Sequence, residues 1–356
     1  MSTDRLIPAD ALRRLVSRIF AAFGSAEAEA GTVARNLVDA NLAGHESHGV
    51  IRVASYLAWS REGKVYPNRM PRIALDHGAV VTVDGDHGFG QVAGERALAI
   101  GIVRARDQGV ALVALRNSGH LGRIGGFAET AAAAGLVSLH FVNSPGQGGI
   151  QVAPFGGRDR RLAPNPIAIG VPTVDGPPLV LDITTSVVPE GKVKVALNKG
   201  ALLPEGAMID ADGRPSRDPA AYYGPPAGAL LAMGGHKGSG LCLMADLLAG
   251  ALTGGGCSDP EAQRFGNNML SIVIDPASTG VGPGLADEAR ALAAWVTSAR
   301  PLEPGGEVLV PGQIEARLRT ERLARGIPLD PATLQQLQDA ARSVGLADGD
   351  VSVLVP

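Results

Sequence analysis

His48, Arg52 and Tyr56 follow one another at four-residue intervals in the stretch Gly44-His45-Glu46-Ser47-His48-Gly49-Val50-Ile51-Arg52-Val53-Ala54-Ser55-Tyr56. On a helix that spacing stacks the three side chains along one face. An imidazole titrates near neutral pH and can hand over a proton, while a guanidinium grips a carboxylate through two parallel hydrogen bonds. Together they suit a small acid undergoing proton-coupled chemistry. The competing reading is a helix entry whose histidines only cap and pack.

Three glycine loops could bind a ligand. Gly88-Phe89-Gly90-Gln91-Val92-Ala93-Gly94 follows a strand pattern and opens a helix, a setting in which backbone amides cradle a pyrophosphate. Its spacing has one residue too many for GxGxxG, its strand lies well inside the chain, and the next strand ends at Arg116 rather than on an acid. It is therefore read as a tight turn and a close packing contact, not as a Rossmann fingerprint. Asn117-Ser118-Gly119-His120-Leu121-Gly122-Arg123 again joins a strand to a helix and brings His120 to a strand end, where binding groups collect. Gly234-Gly235-His236-Lys237-Gly238-Ser239-Gly240 sets Lys237 among glycines ahead of a helix, which suits a phosphate or carboxylate or else is a surface turn. The Walker pattern GxxxxGK[ST] is absent.

The elements that must position these residues are legible as patterns. Pro8 suits a first helical turn, and Leu12, Leu15, Val16, Ile19, Phe20 and Phe23 keep helical periodicity until Gly24. Ser25 is expected to cap a second helix, with Glu27 and Glu29 near its positive end; that helix runs toward Asn41 and delivers the histidine turn. Strands are expected at 80–83, 110–115 and 136–142, separated by helices at 91–108 and 124–134, an α/β alternation. The Gly- and Pro-rich middle, 145–228, reads as strands at 167–171 and 179–183 joined by long ordered loops. An apolar helix opens at 234–240 and ends near Gly254, a strand follows at 269–274, and helices return at 285–300, 313–325 and 331–344.

The bulk composition narrows the partners. A length of 356 residues suits about two domains. A net charge of −3 with no basic run gives no footprint for nucleic acid or an anionic membrane surface, so a small molecule is the expected partner. Cys242 and Cys257 form no CxxC pair, which argues against a disulfide framework and a cysteine zinc site and fits a reducing compartment, the cytoplasm by default. The start carries Asp10, Arg13 and Arg14 instead of an apolar segment, so no secretory signal is expected, and the apolar run 240–252 is too short to span a bilayer. A metal-dependent hydrolase using His45, His48 and His120 is the remote alternative; the HExxH spacing is missing, and no metal is expected.

Taken in order, these loops resemble one family, the malate/L-lactate dehydrogenase family that lacks a Rossmann fold. The landmarks are Gly44–Gly49 with Arg52 and Tyr56, Gly88–Gln91, Asn117–Gly122, Ala153-Pro154-Phe155-Gly156-Gly157, Asn165-Pro166-Ile167-Ala168, Leu181–Ser186, Ile209–Gly213, Gly234–Gly238, Pro311-Gly312-Gln313 and Arg325-Gly326-Ile327. The resemblance implies an α/β (α+β) fold: a cofactor domain over 71–282 on a mainly antiparallel or mixed sheet flanked by helices, and a mostly helical domain from 1–70 with 283–356. It implies an oxidoreductase that uses NAD or NADP, forms a homodimer and moves a hydride to or from C2 of a small 2-hydroxy or 2-oxo carboxylic acid. His48 would be the proton donor and acceptor, titrating near the working pH, with Ser47 as its hydrogen-bonded partner and Arg52 as the carboxylate anchor. Tyr56 and Asn165 would contact substrate. His120, Leu121, Gly122, Arg123 and Ile124, then Asp182, Ile183 and Thr184, then His236, Lys237, Gly312 and Gln313, would hold the cofactor. Against the family pattern, Pro164 replaces a threonine, Gln313 an acid and Asp246 a glutamate, which leaves the substrate open. Reduction of a cyclic imino acid is the alternative within the same chemistry, and a non-catalytic ligand-binding relative is a third.

Overall fold

The computed structural model describes residues 4–261, 266–282, 284–347, 349, 351 and 354. Along the chain run β1 (Arg5–Ile7), α1 (Ala9–Phe23), α2 (Glu27–Leu42), α3 (Arg52–Arg61), β2 (Arg72–His77), β3 (Val80–Asp84), α4 (Gly90–Gln108), β4 (Val110–Ser118), α5 (Gly125–Ala133) and β5 (Val137–Asn143). The middle gives β6 (Val152–Ala153), β7 (Ile167–Val171), β8 (Leu179–Ile183), α6 (Glu190–Lys199), β9 (Met208–Ile209), β10 (Pro215–Ser216), the one-turn α7 (Ala220–Tyr223) and β11 (Ala229–Leu231). Last come α8 (His236–Asp246), β12 (Asn267–Ile274), α9 (Gly284–Thr297), α10 (Gln313–Arg325), β13 (Ile327–Leu329) and α11 (Pro331–Ser343).

The N-terminal hairpin forms because the apolar stripe of α1 buries Leu12, Leu15, Val16, Ile19 and Phe20, and Gly24 ends the helix in the left-handed region at φ 111°. The expected Ser25 cap is not used. Asn68, arriving from beyond α3, accepts the Ala26 N–H at 2.7 Å and donates its amide to Gly24 O, so a distant side chain finishes the N-terminus of α2. Glu29 is drawn inward, where both carboxylate oxygens accept the Asn68 N–H. This hairpin, α3, α11 and the paired β1 and β13 share one apolar core.

A second core lies on a seven-stranded sheet of order β2-β3-β4-β12-β5-β7-β8, packed against α4 and α5. Only β3 and β4 run parallel; the other five pairings are antiparallel. This is the mainly antiparallel sheet that the family resemblance implies, and it rules out the parallel doubly wound order a Rossmann reading of Gly88–Gly94 would need. The middle of the chain builds a third core that the sequence patterns did not disclose: a four-stranded sheet β10-β9-β11-β6 backed by Val193 of α6 and Cys242 of α8. α8 does not run as a plain helix to the glycine triplet; it widens into a five-residue π turn over Leu247–Ala251. Among the described residues no helix is long and apolar enough to cross a membrane.

Candidate active site

The histidine turn is shaped by Asn41 and Gly49. Asn41, almost fully buried at the end of α2, accepts the Val50 N–H at 2.8 Å. A Cβ on Gly49 would stand 2.3 Å from Asn41 Oδ1, so only glycine lets the turn fold back this far. Residues Glu46–His48 consequently form a single 3₁₀ turn and α3 starts at Arg52. The helix expected to carry His48, Arg52 and Tyr56 on one face is thus broken before Arg52. α10 grips the same turn from outside: Glu315 pairs with His45 at 3.4 Å, Arg322 pairs with Glu46 at 2.7 Å and also donates to Asn41 O, and Leu318 packs over Gly44.

Ser47, His48 and Arg52 open onto a cavity of about 510 Å³, whose wall also includes Trp59, His120, Gly122, Ile124, Asn165, Thr184, Glu190 and Gly191. Arg52 is oriented by its own turn, with Nε donating to Ser47 O at 2.6 Å, and no carboxylate pairs with its guanidinium among the described residues. The rings of His48 and His120 stack with centroids 5.3 Å apart and planes 20° apart. Loss of hydration, then the charge of Arg52, pushes the His48 imidazole down to about 3, and burial with Arg52 and His48 pushes His120 well below its ordinary value. His48 is therefore a neutral base in the ligand-free chain, a correction to the expectation that it titrates near the working pH. Ser47 lines the cavity, but its hydroxyl makes no hydrogen bond to His48. Its Cβ instead faces α6: a Cβ added to Gly191 would stand 2.6 Å from it, so α6 can close on Ser47 only through a glycine.

Tyr56 is placed behind this wall and not on it. Its ring is buried with Phe20, Trp59 and Phe89, and its hydroxyl lies 2.8 Å from His120 Nδ1 while receiving Gln91 Nε2 at 2.7 Å. Burial raises the phenol to about 12. Asn165 donates to Cys242 O, and its Oδ1 is buried without a partner, as is His48 Nδ1.

Among the residues expected at a cofactor site, His120, Gly122, Ile124 and Thr184 meet the cavity. Leu121 is in the sheet core, its N–H held by Asn267 Oδ1 at 2.9 Å. Asp182 ties this loop to β8, accepting the Gly125 N–H at 2.9 Å and pairing with buried Arg123, which also pairs with Glu129 at 2.7 Å. Gly312, in the left-handed region at φ 86°, lies against Val180 of the same strand, and the Gln313 amide oxygen accepts the Val310 N–H. Ile183 ends β8 beside Thr184. His236 and Lys237 open α8 on the surface, next to exposed Phe155, and the preceding Met233 donates its N–H to Thr185 O. These groups therefore gather along β8 and its C-terminal continuation. The three departures from the family pattern also have local roles. Pro164 O accepts the Thr184 hydroxyl, Gln313 closes the turn into α10, and Asp246 holds Asn143 on the cavity wall at 2.7 Å.

Trp59, Glu190, Gly191, Arg160, Tyr222 and Tyr223 line the cavity without having been singled out from the sequence. Pro189 and Glu190, a proline and an acid at a helix start, were the available signal for α6.

With this geometry in place, the comparisons with known proteins converge. The malate/L-lactate dehydrogenase family profile matches residues 7–338. Hydroxycarboxylate dehydrogenase B of Escherichia coli K12 is 42% identical over 354 residues, 98% of this chain and 97% of that protein. Among solved structures, sulfolactate dehydrogenase from Methanocaldococcus jannaschii superposes with a TM-score of 0.86 at 31% identity, over 97% of this chain and 99% of the other. Δ1-piperideine-2-carboxylate reductase from Pseudomonas syringae gives 0.82 at 36% identity, over 95% and 100%. The chain belongs to the malate/L-lactate dehydrogenase family and is an oxidoreductase.

Proposed function

We propose that this protein oxidises a small 2-hydroxy acid, or reduces the matching 2-oxo acid, with NAD or NADP as the second substrate. The observation that carries the reading is Arg52: a guanidinium on a cavity wall, aimed by Ser47 O and left without a carboxylate, beside a neutral imidazole. A bound carboxylate completes the guanidinium's fork of donors. It also cancels part of the charge that depresses His48, so the imidazole becomes a stronger base once substrate is present. His48 takes the hydroxyl proton in oxidation and returns it in reduction. The cofactor supplies the hydride acceptor.

The wall fits such a cofactor. Two buried polar atoms there, His48 Nδ1 and Asn165 Oδ1, are unpartnered, and the cavity exceeds what one small acid fills. Gly122, Ile124 and Thr184 would meet the nicotinamide end, with Asp182, Gly312, Gln313, His236 and Lys237 farther along β8. Among Arg116, Arg123 and Lys237, three cations of these loops that a 2′-phosphate could meet, Arg116 is paired with Asp84 and Arg123 with Glu129 and Asp182, so Lys237 is the candidate that is left.

The homodimer, the cytoplasmic setting and the division into 1–70 with 283–356 and 71–282 belong to the same proposal. The separate cores around α1–α3 with α11 and around the large sheet support that division, whose boundary position 283 lies outside the described residues. The relatives that carry reductase names favour a cyclic imino acid as the second reading, since such a substrate presents the same carboxylate beside a trigonal carbon. A metal site gains no support: His45 turns to Glu315, and among the described residues no three such side chains surround one point.

The test is absorbance of the reduced nicotinamide with both cofactors, against pyruvate, oxaloacetate, sulfopyruvate and diketogulonate on one side and piperideine carboxylate on the other. Turnover of at least one oxo acid is expected, imine-only turnover selects the second reading, and none with any acid rejects both.

A further inference from the structure

We infer that Glu315, Arg319 and Arg322 are positioning residues through which α10 makes the order of the Ser47–His48 turn depend on a nicotinamide dinucleotide bound along β8. The cofactor half of this statement rests on the proposed reading of β8; the hold on the turn does not.

α10 adheres by charge and not by apolar burial. None of its thirteen residues is buried, and the chain that feeds it, 298–307, is exposed throughout. Its far end is fixed, because β13 follows at once and pairs with β1 in the core around α1–α3. Positions 315, 318, 319 and 322 recur at three- and four-residue steps and so share one face. That face carries Glu315 to His45 at 3.4 Å, Leu318 over Gly44, and Arg322 to Glu46 at 2.7 Å and to the Asn41 carbonyl. Between them Arg319 reaches Glu129 of α5 at 3.1 Å and Asp39 of α2 at 4.0 Å. α10 thus touches Gly44, His45 and Glu46, the three residues directly ahead of Ser47 and His48.

The start of α10 lies on the proposed cofactor strand. β8 is the last strand of the large sheet, and its Val180 N–H donates to Pro311 O, outside the sheet, at 3.3 Å. A Cβ on Gly312 would stand 3.1 Å from the same nitrogen. The two ends also share one field. Burial first, and Glu315 further, raise the Asp182 carboxyl, while His45 first, and Arg123 further, lower Glu315. An element with few buried apolar contacts opens at low cost, and α10 is such an element joining β8 to the histidine turn. A ligand that steadies β8 therefore steadies the turn, and by reciprocity a looser α10 weakens that ligand.

The experiment is amide hydrogen exchange of the full-length chain, free and with saturating NAD, NADH, NADP or NADPH, beside cofactor titration by protein fluorescence and steady-state kinetics. Without ligand, Glu315→Gln and Arg322→Gln should exchange faster than wild type over 44–50. Wild type in high salt should do the same with no residue replaced, since part-exposed ion pairs are screened. Unchanged exchange over 44–50 in both variants and in salt overturns the hold. With cofactor, wild type should gain protection over 179–183 and over 44–50; in the variants the first gain should survive and the second shrink. An equal gain over 44–50 in wild type and variants overturns the coupling, because the cofactor then reaches the turn without α10. Cofactor affinity should fall about fivefold in the variants, the low end of usual couplings. Their kcat should fall by about 10- to 10²-fold, the loss that a displacement of about 1 Å brings. Arg322→Lys, which keeps the charge, should recover part of both; affinity and kcat that do not move overturn the positioning role. Absence of cofactor-induced protection or fluorescence change in wild type, with faster exchange over 44–50 in the variants, refutes the nicotinamide reading and leaves the hold standing.

Discussion

His48 and His140 are two imidazoles that lose hydration in this fold, to about 3 and about 4 respectively, yet their surroundings are opposite. His140 stands on β5 in the middle of the large sheet, fully buried, with Nδ1 at 2.8 Å from Ser271 Oγ and Nε2 at 3.0 Å from Ser138 Oγ. Both nitrogens are satisfied from neighbouring strand positions. His48 is at the edge of a cavity with an unpartnered Nδ1, beside a guanidinium that no carboxylate among the described residues pairs with, and with another imidazole stacked on it. A depressed pKa therefore does not distinguish a working histidine from a structural one here; unfilled hydrogen-bonding capacity does.

That contrast predicts a clean separation of phenotypes. The largest effect belongs to His48→Ala, which should lower kcat by about 10²–10⁴-fold, the usual weight of a general acid or base. Its urea unfolding midpoint should stay close to wild type, and retention of kcat would remove the distinction. Arg52→Lys should come next, raising KM for the carboxylate substrate by about tenfold because an ammonium cannot reproduce the bidentate grip. A KM that does not move would detach Arg52 from the substrate. His140→Ala should do the reverse of His48→Ala: stability falls by about 1–3 kcal/mol as Ser138 and Ser271 lose their partner, while kcat per folded molecule is kept. Activity lost in proportion would mean the sheet histidine serves the site after all.

The smallest effect is in pH. His48, His120 and His140 all have folded-state values below the 6.5 of an unfolded histidine. Below 6.5 the unfolded chain binds more protons than the folded one, so their contribution is complete above that pH and is lost progressively as pH falls below it, for His48 and His140 down to about 3 and about 4. Each group adds at most about 1.4 kcal/mol per pH unit to that slope. The unfolding temperature should drop from pH 7 to pH 5, less steeply in the His140 variant. For the same reason, oxidation by the free enzyme should show no acid limb near 6.5 from His48.

Much of this could be read from the chain, and what could not has a physical cause. α1 and α11 carry apolar stripes of helical period, the first ending at Gly24 and the second opening after Asp330, so local pattern suffices. The break at Gly49 was hidden because a four-residue spacing survives the insertion of a 3₁₀ turn, and its cause, Asn41, acts through a tertiary contact. The Ser25 cap failed for a related reason: Asn68 was better placed in space though remote in sequence. Family resemblance located Ser47, His48, Arg52, Asn165 and Thr184 on the cavity wall, but the path from Gln91 through Tyr56 to His120 depends on which way a buried phenol points. Gly191 matters only because Ser47 is opposite it.

The clasp of α10 on the histidine turn carries a consequence for how the protein comes into being. The two halves of the His45–Glu315 contact are separated by 270 positions. During synthesis the turn leaves the ribosome early and stays without its clasp until almost the whole polypeptide has followed. A messenger cut short before the codons of α10 would yield a chain with the proposed proton-handling residue in place but without the outer clasp on the turn that carries it.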